Sequence, residues 1–72
     1  MKLQICFKSK SEYFKAVDFV KNESEFYAEE NEEWNMLIVE CSDQHDADIN
    51  EKSIEKELIE KGIENFYFEL EY

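Results

Sequence analysis

Apolar residues in this chain follow two periodicities that take turns along its length. Leu3, Ile5 and Phe7 recur at every second position, with Lys2, Gln4, Cys6 and Lys8 between them. That alternation predicts a half-buried strand over 2–8. The period then changes. Tyr13, Ala16, Val17 and Val20 recur at helical spacing, with Phe14 and Phe19 flanking them from opposite sides. Ser9-Lys10-Ser11-Glu12 reads as a capping box, so a helix is expected from there to about Lys21, with Asn22 as a left-handed exit residue.

A short strand is expected over Glu25–Glu29, a turn of three to five residues around Asn31-Glu32-Glu33, and a third strand over Trp34–Cys41. That third run is the longest apolar stretch and contains no Gly or Pro. Ser42 to Asp48 reads as a polar connection. Asp48, with Glu51 three residues on, is expected to cap a helix over Ile49–Lys61 that turns Ile54 and Leu58 inward and carries Ile59 to one side. Gly62 is placed to end it in a Schellman motif, with Ile63 packed on Leu58. Asn65 to Tyr72 alternates again, with Phe66, Phe68 and Leu70 on its apolar side.

The order is βαββαβ. Right-handed crossovers then give an α+β, ferredoxin-like split βαβ: a four-stranded antiparallel sheet in the order 4-1-3-2 with two helices on one face. One such domain is expected over residues 1–72. The other sheet face is left open. If Leu37 and Val39 face the helices, Trp34, Met36 and Ile38 lie on the open face with Tyr27 and Tyr67. In the opposite register Leu37, Val39 and Cys41 lie there instead. Either arrangement sets large apolar side chains beside carboxylates, as in an interaction surface.

Charge narrows the choice of partner. Residues 1–22 hold five lysines against Glu12 and Asp18, a net of +3. Residues 23–51 hold eleven acids and no base, and residues 52–72 hold three lysines and six acids. The whole chain is at −11 with no arginine. Such a chain repels nucleic acid and anionic membrane and steers basic partners toward its middle third. The candidate partner-binding residues are therefore Tyr27, Glu29, Glu30, Glu32, Glu33, Trp34, Met36, Ile38 and Tyr67.

Motifs for chemistry are sparse. A single glycine rules out glycine-rich phosphate loops. Asp46, Asp48, Asn50 and Glu57 match four positions of a calcium loop, but Glu51 stands where the loop needs glycine, and the same stretch reads as a helix start. His45 lies among Asp43, Asp46 and Asp48 and four residues after Cys41, with no oxyanion donor or orienting group identifiable, and reads as a solvated loop residue. Cys6 and Cys41 fall on strands expected to be neighbours, and they read as reduced thiols. The copper-chaperone Cys-x-x-Cys pair, the four cluster cysteines of ferredoxins and the RNA-recognition strand motif are all absent. No catalytic residue, metal or other cofactor is expected.

The expectation is a cytoplasmic interaction module without enzymatic activity, binding a basic or nucleic-acid-handling protein or a second copy of itself. Its sharper form is an inhibitor that mimics nucleic-acid charge. The alternative is a dimeric regulatory domain that senses a small ligand.

Overall fold

The computed structural model describes residues 1–23 and 26–71. The elements run β1 (Lys2–Phe7), α1 (Lys10–Asn22), β2 (Glu29–Asn31), a 3-10 turn (Glu32–Trp34), β3 (Met36–Glu40), α2 (Gln44–Glu60) and β4 (Phe66–Glu71). One antiparallel sheet has the order β2-β3-β1-β4. This is the ferredoxin-like split βαβ, with both helices on one face.

The register settles the orientation of β3. Leu3 is paired with Val39 and with Leu70, and Ile5 with Leu37 and with Phe68. Directly opposed residues in an antiparallel sheet share a face. Leu3, Ile5, Phe7, Leu37 and Val39 are therefore all on the helix side, and all are buried. Tyr13, Ala16 and Phe19 of α1 and Ala47, Ile54 and Leu58 of α2 close the core over them.

In α1, the Ser9 hydroxyl accepts from the Glu12 amide at 3.2 Å, as the capping box requires. The Glu12 side of the box differs, because one of its carboxylate oxygens is buried without a hydrogen-bond partner. Phe19 belongs to the core, Val17 and Val20 are half-buried, and Phe14 is exposed. Asn22 ends the helix from inside it, with its amide on the carbonyl and carboxylate of Asp18.

Three elements start two or more residues from where the sequence reading sets them. The strand expected over 25–29 starts outside the described residues, and the strand found there is Glu29–Asn31. Phe26 and Ala28 pack on the core instead of extending the ladder. Next, Trp34 is not in β3. Asn35 adopts a left-handed conformation at φ 51°, so the strand starts at Met36. Asparagine tolerates that region better than most residues, which fixes the reversal there.

Lastly, α2 begins at Gln44 rather than Ile49, and its cap is Asp43, not Asp48. Asp43 Oδ1 accepts from the Asp46 amide at 2.8 Å, and Asp46 Oδ2 accepts from the Ser42 amide at 2.9 Å. Ala47 supplies the inward position of the extra turn, seven residues before Ile54. The far end of α2 is as expected. Gly62 sits at φ 80°, its amide bonds the Ile59 carbonyl, and the Ile63 amide bonds the Leu58 carbonyl, both at 3.0 Å.

Candidate protein-interaction surface

The even residues of β1 and β3 and the odd residues of β2 and β4 face away from the helices. Their registers arrange them in rows across the sheet. One row is Asn31, Met36, Cys6 and Tyr67. The next is Glu29, Ile38, Gln4 and Glu69, and the last is Glu40, Lys2 and Glu71. The first row carries no charge and is mostly apolar. The other two hold four carboxylates against one lysine.

Cys6 is the centre of the uncharged row. It is only 6% exposed although no helix covers it, because Met36 and Tyr67 flank it on the neighbouring strands. Burial pushes its thiol pKa up, Glu69 adds to the effect, and a hydrogen bond with Tyr67 acts against it. The Tyr67 hydroxyl is also pushed up, first by the Cys6 charge it would face. At pH 7 both groups are neutral, so the row stays uncharged. Gln4 Nε2 donates to Glu71 Oε2 at 2.7 Å, and Lys2 Nζ lies 3.9 Å from Glu40 Oε1. These exposed contacts order the rim and contribute little to stability.

The structure brings together only part of the residue set read from the sequence. Met36, Ile38, Tyr67 and Glu29 share the open face. Glu30 does not, since it is paired with Leu37 and lies on the helix side, where Lys21 Nζ is 3.4 Å from its carboxylate. Glu32, Glu33 and Trp34 occupy the turn at the Met36 end of the sheet. Lys10 Nζ donates to the Glu32 carbonyl, and Trp34 is exposed. Tyr27 precedes β2 and borders a cavity of about 290 Å³ that Val17, Val20 and Leu37 also line.

Lys2, Gln4, Cys6, Asn31, Glu40, Glu69 and Glu71 complete the face, and the sequence reading left them out of the site. For those on β1 and β4 the signal was the two-residue alternation, which already separates them from Leu3, Ile5 and Phe68; Asn31 and Glu40 carried no such signal.

The acidic middle third is also divided. Glu29, Glu30, Glu32 and Glu33 lie before β3, while Asp43, Asp46, Asp48 and Glu51 lie after it. Glu32 and Glu33 sit at the Met36 end of β3 and Asp43 and Asp46 follow its other end, while Glu29 and Glu30 run beside Ile38 and Leu37. Asp43 and Asp46 are engaged in starting α2.

The thiols are far apart. The Cys41 amide donates to the Met1 carbonyl at 2.8 Å, so Cys41 sits at the opposite end of β1 from Cys6 and on the other face of the sheet. Although β1 and β3 are neighbours, the two thiols do not meet across the sheet, and both are free. Residues 46–57 are helical throughout, a backbone that cannot wrap calcium. Among the described residues, no group of three or more His, Cys, Asp or Glu side chains is placed to hold a metal ion. Among them too, no helix is long and apolar enough to cross a membrane.

Comparison with protein-family models, with curated proteins and with solved structures yields no significant match.

Proposed function

We propose that this protein is an interaction module that binds a partner protein through the open face of its sheet. One observation carries the reading: an uncharged row, Met36–Cys6–Tyr67, lies beside Ile38 and is bordered by Glu29, Glu40, Glu69 and Glu71. Apolar side chains bordered by charged ones are found at protein interfaces. The rim sign selects a partner whose lysines or arginines surround an apolar side chain. Nucleic-acid-handling proteins carry basic surfaces of this kind, and blocking one of them is the sharper form of the same proposal.

Size sets the expected strength. Four strands about 4.8 Å apart and at most six residues long bound the face at roughly 400 Å². That is about half of what one partner contributes to a standard interface. Even with Trp34 and its turn included, the complex should be transient.

The test is a titration with a synthetic peptide of alternating lysine and leucine, read by fluorescence of Trp34. Binding should weaken several-fold from low to moderate ionic strength, and Ile38→Glu should weaken it further without unfolding the chain. Affinity indifferent both to salt and to Ile38→Glu would sink the proposal.

A further inference from the structure

The two edges of the sheet are unlike. β2 is three residues long and turns the charged Glu30 inward, a common protection against strand addition. β4 is six residues long, and its inward side is Phe66, Phe68 and Leu70, with no lysine or proline in the strand. These three are only half-buried, while Leu3 and Ile5 on the neighbouring strand are 1% and 0% exposed.

The direction of the free backbone groups follows from one hydrogen bond. The Lys8 amide donates to the Asn65 carbonyl at 3.1 Å, continuing the β1–β4 register by one pair. Direction alternates along an antiparallel ladder. Tyr67, Glu69 and Glu71 therefore aim their backbone groups at β1, and Phe66, Phe68 and Leu70 aim theirs outward. Among the described residues no strand meets them.

We infer that the β4 edge pairs with the β4 edge of a second copy of this chain, antiparallel about a two-fold axis at Phe68. This surface is distinct from the open-face reading and does not rest on it. The occupant is a second copy because the strand is complementary to itself. About that axis Phe68 meets Phe68, Phe66 meets Leu70 and Tyr67 meets Glu69. Every outward N–H and C=O of the three residues finds a partner, and no like charges stand opposite. Centring on Glu69 instead sets Glu69 against Glu69. Centring on Tyr67 moves Leu70 opposite Glu64, outside the strand. In the Phe68 register, Leu70 of the second copy lies beside Phe66, at the cavity of about 330 Å³ that Phe66 lines with Ile59, Glu55 and Glu64. Ile59, 51% exposed, then gains an apolar neighbour.

Two chains at −11 repel each other, so self-association should tighten as salt rises, the opposite of binding to a basic partner. The experiment is sedimentation of the full chain over a concentration series at low and high salt. Folding of each variant is checked by circular dichroism. The parent should form a dimer, more readily at high salt. Tyr67→Glu opposes Glu69 twice in the symmetric pair and should weaken the dimer about fivefold, and Tyr67→Lys should strengthen it by a similar factor. The double change Tyr67→Glu with Glu69→Lys should restore it. A chain that stays monomeric at high salt and high concentration overturns the inference. So does a dimer that ignores all three variants. Neither result bears on whether Ile38→Glu disturbs binding of a basic peptide.

Discussion

Asn35 is the residue whose identity the fold depends on most narrowly at backbone level. At φ 51° it is the one non-glycine residue with positive φ among the described positions, and it sets where β3 begins. Asn35→Gly should leave stability within about 0.5 kcal/mol, because glycine accepts the conformation freely. Asn35→Val should cost about 1–2 kcal/mol, because a β-branched side chain is strained there. Urea unfolding of the two variants checks this, and equal losses would show that the conformation is not what matters.

Two buried protons carry a second consequence at this scale. Burial raises the pKa of Cys6, and burial, followed by Glu30 and Glu32, raises that of Tyr13. Each therefore keeps its proton to higher pH in the folded chain than in the unfolded one. The stability they contribute is complete below the ordinary values of 9.0 and 10.0. It is lost as pH rises through the raised values. Unfolding midpoints from about pH 7 to about pH 11 should fall at the alkaline end, and Cys6→Ala should make the fall shallower. An unchanged slope in that variant would remove Cys6 from the account.

At the scale of elements, β3 is a strand with two different faces. Leu37 is 1% exposed among the core residues, while its neighbours Met36 and Ile38 are half-buried on the open side. Leu37→Glu should unfold the chain, since an unpaired carboxylate in that core costs several kcal/mol. Met36→Glu should leave far-ultraviolet circular dichroism intact. If both variants unfold, the open face is part of the core and not a surface.

Much at this scale was legible from periodicity. The alternation of Leu3-Ile5-Phe7 and of Phe66-Phe68-Leu70, the Ser9 cap and the Gly62 stop all stand. The start of α2 was not legible, because Ala47 is the only inward apolar residue in its first turns and a lone alanine makes no pattern. The exclusion of Trp34 from its strand was equally hidden. The apolar run is continuous across Asn35, and only the turn's handedness breaks it.

The candidate surface was legible in half. Alternation in β1 and β4 separates the two faces, but β3 is apolar on both sides, so its facing comes from the register and not from its own composition. Charge summed along the chain misled more. A run of eleven acids reads as one patch, yet the chain reverses inside it and spreads them along β2, through the turn before Met36, to Glu40 and the start of α2.

On the scale of the whole molecule, salt separates the two surfaces. The open face should lose its basic partner as ionic strength rises, while the β4 edge should gain its twin. A single titration series with both readouts tells which contact dominates at a given ionic strength.

The strand order also governs how the chain is made. β1 lies inside the sheet, between β3 and β4, yet it is the first strand to be synthesised and β4 is the last. Until β4 arrives, the backbone groups of Gln4, Cys6 and Lys8 on that side have no strand to meet, and a nascent chain stopped before Phe66 presents β1 as a sticky edge. Ribosome-bound chains of increasing length should therefore stay protease-sensitive and aggregation-prone until β4 has cleared the exit tunnel, and become resistant in one step after that.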